Sequence, residues 1–291
     1  MFETLLAVLP PELVEVLASA RASGLRVWLV GGTVRDALLG RVPLDLDLAS
    51  ESSPSDFAAR LPDSATHLVQ TTLGACSFRL GDREVVHTTF RIESDYGPDR
   101  RPRDVRFVCD PVLDAQRRDF TVNAIYVDVL GRSILDPTDG SHDLAVRRLR
   151  TIGDPRRRFA EDPLRILRGV RFEADLGLDP AIATSAAMAE FAPKVGGLVV
   201  GRQYDELRGI VAAADWRRGV CRLIDLGAFD VLLPELAGEA SDVRTRVGSV
   251  GTAADVPARW IALFGDAERA VAALTRLTAP RRDRRAISIR S

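Results

Sequence analysis

The chain has 291 residues, of which 46% are hydrophobic, and its 40 basic and 41 acidic side chains leave a net charge of −1. This length can bury one large or two modest hydrophobic cores. No apolar run approaches the ~20 residues that cross a bilayer, and the first residues carry no basic leader, so no membrane partner is expected. The balanced charge argues against a uniformly basic nucleic-acid binder. We predict a cytoplasmic globular protein.

A predicted strand and a predicted helix meet at a glycine pair near the N-terminus. Val27 to Val30 is a continuous apolar run typical of a buried strand, and Gly31–Gly32 ends it where the backbone must turn sharply or approach a ligand closely. Thr33 can cap the helix that follows, at about 34–39, and Arg35 lies in the first turn. Free backbone N–H groups and positive charge at such a helix start suit a phosphate.

Two aspartates follow on the next predicted strand. Asp45, Leu46 and Asp47 alternate polar with apolar, so a strand would place both carboxylates on one face, roughly 6 to 7 Å apart. Two such carboxylates can hold a divalent metal, and Mg2+ could bridge them to the phosphates of a nucleoside triphosphate. Taken singly, the glycine pair also fits a plain turn, and the aspartates also fit a solvated strand edge.

The order and spacing of these residues carry a family resemblance. The stretch from Gly31 to Ala49 reads GG-x-VRD-x-LLGR-x-x-x-D-x-D-x-A. It resembles the head motif of the class II tRNA nucleotidyltransferase and poly(A) polymerase family. The resemblance implies that Asp45 and Asp47 are the catalytic residues and that both bind the metal, which we expect to be Mg2+.

Short β-like runs follow a serine-capped helix that starts at Ser53. They cover His67 to Gln70, Cys76 to Leu80 and Glu84 to Phe90. Strands mixed with a few helices indicate an α+β catalytic head built on one mixed β-sheet with flanking helices. From about residue 110 onward the pattern becomes helical and stays so.

The predicted organisation has three parts. Residues 1–145 form the nucleotidyltransferase head, 146–205 form a helical neck with a base-selecting helix, and 206–291 form a helical body. The resemblance extends from about Leu29 to Leu236, so the tail of the family is expected to be largely absent.

The stretch from Thr88 to Phe107 is rich in Arg, Asp, Pro and Gly, a composition typical of a mobile loop. In the family, a flexible loop lies between the two-aspartate motif and the next motif. Family members that add only cytidines tend to have this loop shortened, so its full length here favours an activity that includes adenosine addition. A solvated surface hairpin with no role in catalysis is the alternative.

The sequence RRDFTVNA, from Arg117 to Ala124, matches the second motif of the family at every position. Arg118 can donate a planar set of hydrogen bonds to a phosphate, while Asp119 and Asn123 suit ribose hydroxyls. An ordinary helix start capped by Asp119 is the alternative interpretation.

A further motif, EDPLR, begins at Glu161, and we predict a helix with Glu161, Asp162 and Pro163 in its first turn. Asp162 and Arg165 would be neighbours on one face, either as a surface salt bridge or as a pair that reads a base. Asp162 can accept from the exocyclic amine of cytosine or adenine, and Arg165 can donate to the adjacent ring acceptor. The resemblance to the nucleobase-templating motif EDxxR gives them that role.

Arginines are concentrated around this motif. From Arg147 to Arg171 there are nine arginines and three acidic residues, an excess that can meet phosphates. The resemblance gives Arg168 and Arg171 contacts with the triphosphate and its surroundings. A later family motif is matched with Gly201 in place of the expected glutamate, which puts in doubt the support of the templating helix.

The resemblance implies a template-independent tRNA 3′-end nucleotidyltransferase that adds C, A or both from CTP and ATP and releases pyrophosphate. A CC-only adding enzyme and a poly(A) polymerase remain alternatives, as does a non-catalytic RNA-binding protein. The expected partners are a tRNA 3′ end and ATP or CTP; the oligomeric state and the general base are left open. The predicted nucleotide-binding residues are Gly31, Gly32, Arg35, Arg118, Asp119, Asn123, Asp162, Arg165, Arg168 and Arg171.

Overall fold

The computed structural model describes residues 2–43, 45–62, 65–97, 102–251 and 254–289. The chain divides into two structural units. The first comprises Met1–Gly97, Arg101–Val146 and Arg150–Gly153, and the second includes Arg147–Leu149 and Asp154–Ser291. The finer division of the helical part into neck and body stays a prediction.

A mixed β-sheet organises the first unit. The strands are β1 (Trp28–Leu29), β2 (Leu46–Ser50), β3 (His67–Gln70), β4 (Ala75–Leu80), β5 (Arg83–Thr89), β6 (Arg91–Tyr96), β7 (Pro102–Phe107), β8 (Tyr126–Asp128) and β9 (Ser133–Leu135). Within the described ranges, seven of them form one sheet in the order β3-β4-β5-β2-β1-β8-β9. β2 runs parallel to β5, and the other neighbours in this sheet are antiparallel. The metal-binding strand predicted from the sequence is therefore central.

Helices flank this sheet. They are α1 (Phe2–Val8), α2 (Pro11–Ala22), α3 (Gly32–Leu38), α4 (Pro54–Ala58), α5 (Pro111–Arg117) and α6 (Gly140–Ala145). Proline in the first turn and a side-chain cap explain two of the starts, because Ser53 accepts from the Asp56 N–H and Asp110 from the Val112 N–H. Their buried faces join the strands in a core that includes Leu13 and Phe78.

Two predictions for the head need correction. The chain is not helical throughout from residue 110, because β8 lies beside β1 with Val127 opposite Leu29, and β9 completes the sheet. The described part of the predicted mobile loop forms an antiparallel hairpin of β6 and β7, with Arg91 opposite Phe107. Residues 98–101 of that loop lie outside the described residues.

The second unit is helical. Its helices are α7 (Pro155–Glu161), α8 (Leu164–Leu176), α9 (Ile182–Phe191), α10 (Val200–Ala212), α11 (Trp216–Asp225), α12 (Phe229–Leu232), α13 (Ala240–Ser249), α14 (Val256–Phe264), α15 (Ala267–Arg276) and α16 (Arg281–Ser288). Two short strands, β10 (Arg148–Leu149) and β11 (Asp179–Pro180), pair with each other. α8 packs against α10 and α11 with Leu167 and Val170 fully buried. Over the described stretches, no helix combines the length and apolar character that crossing a membrane requires. The α+β class and its order, sheet first and helices after, are as predicted.

The core of the first unit contains a buried histidine. His87 on β5 has no solvent exposure, and its ring stacks on Phe57 with the centroids 3.8 Å apart. Its Nε2 lies 2.7 Å from the hydroxyl of Ser50 at the end of β2. Burial lowers the pKa of His87 to about 3, so the ring is neutral at neutral pH.

We predict that His87 makes the first unit acid-sensitive. Because the pKa of His87 is lowered on folding, the unfolded chain takes up the proton first, and up to about 5 kcal/mol of stability is lost as the pH falls from 6.5 to 3. His87→Gln retains a hydrogen-bonding side chain but cannot titrate. Its stability deficit at pH 7 should therefore shrink as the pH falls, in chemical denaturation followed by circular dichroism. A deficit that is constant with pH would contradict this role.

Candidate active site

The carboxylate of Asp47 lies against the backbone of the glycine pair. A Cβ built on Gly31 would stand 2.8 Å from Asp47 Oδ2, and Gly31 has a φ of +66°, which disfavours other residues. Antiparallel pairing of β1 with β2 produces this approach, because the Val30 N–H donates to the Asp47 carbonyl over 3.0 Å. The predicted sharp turn is observed at Gly31, and the group that packs against it is the Asp47 carboxylate. The close approach of a ligand stays a prediction.

Thr33 ties the two aspartates to helix α3. Its side chain is fully buried; the hydroxyl accepts from the Asp47 N–H over 2.6 Å and donates to the Asp45 carbonyl over 3.2 Å. The predicted capping role of Thr33 was wrong: Gly31 occupies the N-cap position, and Thr33 lies inside the helix. The hydroxyl instead fixes the segment from Asp45 to Asp47 relative to the helix start.

The two carboxylates suit a hard divalent cation. Asp45 immediately precedes β2 and is exposed, whereas Asp47 lies on the strand and is half-buried. Over the part of the chain that the structure describes, no group of three or more His, Cys, Asp or Glu side chains is arranged to hold a metal. A pair of carboxylates is the donor set of a cation that completes its coordination with water and substrate phosphates. The absence of a side chain at Gly31 leaves room for the Asp47 carboxylate. Metal binding by Asp45 and Asp47 stays a prediction.

Arg35 lies beside the same glycines in a chain of hydrogen bonds. Its guanidinium would be 3.5 Å from a Cβ on Gly32, and its Nη1 donates to Asn123 Oδ1 over 2.8 Å. Asn123 Nδ2 in turn donates to Asp119 Oδ1 over 3.0 Å. The structure thus brings together these predicted residues of two distant motifs. Phosphate binding by Arg35 and ribose binding by Asp119 and Asn123 stay predictions.

Arg118 is held by a buried carboxylate that the sequence analysis missed. Its Nη2 donates to Asp114 Oδ2 over 3.1 Å, and its Nε donates to the Tyr126 hydroxyl over 2.9 Å. Burial alone would lower the pKa of Arg118, but Tyr126, Asp114 and Asp47 outweigh it and raise that pKa. The guanidinium therefore remains charged, within electrostatic reach of Asp47. The acidic residue four positions before Arg118 was the available signal.

The predicted base-selecting residues lie in the second unit, and their local structure differs from the prediction. Glu161 ends α7, Asp162 lies in the connection and Pro163 precedes α8, so these residues do not share the first turn of one helix. Asp162 is buried; its Oδ1 accepts from the Leu164 N–H over 3.1 Å and its Oδ2 from Arg202 Nη2 over 2.8 Å. Arg202 thus orients the carboxylate.

Arg165, three residues after Asp162, is also buried and is hydrogen-bonded to other residues. Its Nη1 donates to Glu161 Oε2 over 3.0 Å and to the Arg158 carbonyl over 2.9 Å. Burial would raise the pKa of Glu161, but hydrogen bonding to Arg165 and the charge of Arg158 lower it. The alternative of an exposed surface pair is incorrect, because both side chains are buried: Asp162 accepts from Arg202, and Arg165 donates to Glu161. Base selection by Asp162 and Arg165 stays a prediction.

Glu206 of α10 lies next to Arg168 and Arg171, the two arginines that follow Arg165 on α8. Its carboxylate lies 2.8 Å from Arg171 Nε and 3.7 Å from Arg168 Nη1. Gly209 makes room, because a Cβ at this position would clash with the Cδ atom of Arg171. Support for the predicted templating segment therefore comes from Arg202 and Glu206. The missing glutamate at Gly201 does not remove it.

The mixed sheet with its glycine turn and carboxylate-bearing strand agrees with the nucleotidyltransferase head that the sequence resemblance predicts. Residues 27–150 match the family model of the poly A polymerase head domain. Residues 177–239 match the model described as the probable RNA and SrmB-binding site of polymerase A. The chain belongs to the class II tRNA nucleotidyltransferase and poly(A) polymerase family.

Named relatives agree with this family. The CCA-adding enzyme of Streptococcus suis (strain 05ZYH33) is 39% identical over 239 residues, which are 82% of this chain and 58% of the relative. The CCA-adding enzyme of Streptococcus gordonii is 40% identical over 236 residues, 80% of this chain and 58% of the relative. The chain thus spans less than two thirds of the length of these relatives.

Solved structures share the fold. The Bacillus stearothermophilus CCA-adding enzyme in complex with CTP superposes with a TM-score of 0.79 and 28% identity, covering 97% of this chain and 69% of that chain. A tRNA nucleotidyltransferase complexed with a primer tRNA and an incoming ATP analog has a TM-score of 0.73 at 22% identity, covering 94% and 82%. The second similarity is evidence for the fold alone.

We predict that the Thr33 hydroxyl sets the metal requirement of the site. Thr33→Val keeps the shape but leaves the Asp47 N–H without its acceptor, a loss of about 1–3 kcal/mol that loosens the aspartate segment. The divalent metal concentration for half-maximal nucleotide incorporation should rise several-fold. Thr33→Ser, which keeps the hydroxyl, should retain the wild-type requirement. An unchanged requirement in Thr33→Val, or an equal rise in Thr33→Ser, would contradict the prediction.

Proposed function

We propose that this chain adds C, A or both to the 3′ end of tRNA without a nucleic-acid template, using CTP and ATP and releasing pyrophosphate. The observation that carries the proposal is the Asp47 carboxylate packed against the glycine turn, with Asp45 tied to the same helix through Thr33. The naming of the relatives as CCA-adding enzymes supports it. The full-length loop between Thr88 and Phe107 supports including A addition.

Mg2+ is the metal that we propose for Asp45 and Asp47. Their oxygen-only donor set fits this ion, which when bound promotes attack of the RNA 3′-hydroxyl on the α-phosphate and stabilises charge on the pyrophosphate. Thr33 holds the aspartate segment to α3. The cytoplasmic location stays a prediction.

The charged groups of the head bind the phosphates and sugar of the nucleotide in this proposal. Arg118 remains charged because Tyr126 and Asp114 raise its pKa despite its burial. A fixed guanidinium stabilises negative charge without having to reorganise during the reaction. Hydrogen bonds link Arg35 to Asn123 and Asn123 to Asp119 beside the glycines, so these side chains are already oriented before a nucleotide binds.

Asp162 and Arg165 select the base. The hydrogen bond from Arg202 orients the Asp162 carboxylate as an acceptor for the exocyclic amine of cytosine or adenine. Uracil and guanine present a carbonyl at that position, and the lost match costs roughly 1–3 kcal/mol per bidentate pair. Arg168 and Arg171, held by Glu206, supply positive charge for the triphosphate.

The test offers purified protein three tRNA substrates with CTP or ATP alone: one that lacks the last three nucleotides, one that ends in CC and one that ends in CCA. We expect CTP to extend the first substrate by two residues and ATP to extend the second by one. The complete CCA end should remain unextended. A long extension of this end with ATP would instead identify a poly(A) polymerase.

The other outcomes separate the alternatives. Extension of the first substrate by CTP, with no use of ATP on the CC end, identifies a CC-adding enzyme. Extension only of the CC end by ATP identifies an A-adding enzyme. Binding of all three RNAs without incorporation contradicts the enzyme and supports a non-catalytic RNA-binding protein.

A further inference from the structure

Asp114 on α5 is fully buried, and each of its oxygens serves a different part of the first unit. Oδ2 accepts from Arg118 Nη2 over 3.1 Å and from the Tyr126 hydroxyl over 2.8 Å. Oδ1 accepts from Arg117 Nε over 2.7 Å and from the Arg91 N–H over 3.2 Å. One carboxylate therefore contacts both the predicted nucleotide-binding arginine and the first residue of the β6–β7 hairpin.

Glu93 extends this contact into the hairpin. Its Oε1 accepts from Arg91 Nε over 2.7 Å and lies 3.1 Å from Arg117 Nη1. The side chains of Arg91, Glu93 and Arg117 are 9–14% exposed, so water screens these charges little. The base of the hairpin and α5 thus share one buried ionic network that reaches Arg118 through Asp114.

The network requires Asp114 to be charged. Burial acts to raise the pKa of Asp114, but the charges of Arg118 and Arg117 and the hydrogen bond from Tyr126 outweigh it and lower that pKa to about 2. Charge-assisted hydrogen bonds are about twice as strong as neutral ones, and removing one partner of a buried pair leaves the other uncompensated. A neutral side chain at this position would therefore release Arg118 and the hairpin base together.

We propose that Asp114 is a positioning residue that holds Arg118 ready for the nucleotide and couples this arginine to the base of the β6–β7 hairpin. The inference rests on the proposed function, in which Arg118 binds the nucleotide. The side chain of Arg118 is long and has several rotatable bonds. Its contacts with Asp114 and Tyr126 fix the guanidinium before the nucleotide binds. A nucleotide that engages Arg118 further orders Asp114, and with it the Arg91 N–H.

Asp114→Asn tests the coupling in the full chain. Affinities for ATP and CTP in Mg2+ are measured by calorimetry, and amide hydrogen exchange is followed at residues 91–93 with and without nucleotide. In the wild type we expect nucleotide to slow this exchange. In Asp114→Asn we expect affinity to fall at least about tenfold and the nucleotide-dependent slowing to disappear. Wild-type affinity together with retained slowing overturns the proposal.

Two variants separate the arms of the network, and they decide the matter if Asp114→Asn does not fold. Tyr126→Phe removes the hydroxyl shared by Arg118 and Asp114, and it should weaken nucleotide binding several-fold. Glu93→Gln should keep affinity within about twofold while reducing the slowing at 92–93, since it weakens the side-chain contacts of the hairpin and leaves the Arg91 N–H bonded to Asp114. The reverse pattern, or no change in either variant, overturns the proposal.

Arg118→Gln distinguishes this inference from the proposed function. A wild-type protein that binds neither nucleotide contradicts the proposed function itself. Wild-type binding that Arg118→Gln weakens and Asp114→Asn leaves unchanged overturns only the role of Asp114. Weakening by both variants supports that role, provided that circular dichroism shows both to be folded.

Discussion

The carboxylate of Asp47 occupies the space that a side chain at position 31 would need. Around this contact Gly31 adopts a positive φ, β1 pairs with β2, and helix α3 starts immediately after the turn. Thr33, in the first turn of that helix, then binds the backbone on both sides of Leu46 and fixes Asp45 as well. The positions of both aspartates, on which the proposed chemistry depends, are therefore set by packing against Gly31 and by backbone hydrogen bonds to Thr33.

Ion pairs that are largely or partly buried orient several of the other predicted site residues. The excess of arginine between 147 and 171 suggested a surface for phosphates, yet Arg165 and Arg171 are bound to carboxylates within the second unit. In the first unit, Asp114 does the same for Arg118. Such pairs cost desolvation and add little net stability, but they hold planar guanidinium groups in fixed directions. Fixed direction is the property that phosphate binding and base selection need.

Much of the head could be predicted from the sequence because its signals are local. The apolar run before Gly31, the strand that carries Asp47 and the RRDFTVNA motif each lie within a few residues, although β2 starts at Leu46 and the predicted position of Asp45 on this strand was wrong. The failures involve distant partners or very short elements: β8 and β9 have three residues each, too few to show a period, and the Thr33 hydroxyl bonds to residues 12 and 14 positions away. No local pattern shows that Asp114 faces Tyr126 and Arg91.

The proposed nucleotide transfer depends on Asp45 and Asp47 as metal-binding catalytic residues. Its most direct test is the rate of single-nucleotide incorporation into a tRNA by Asp45→Asn and Asp47→Asn, alongside their tRNA affinity. A metal ion supplies several kcal/mol of transition-state stabilisation, so each variant should lose at least about a hundredfold in rate while binding tRNA within about twofold of wild type. Near-wild-type incorporation by either folded variant would show that its aspartate is not required for the transfer.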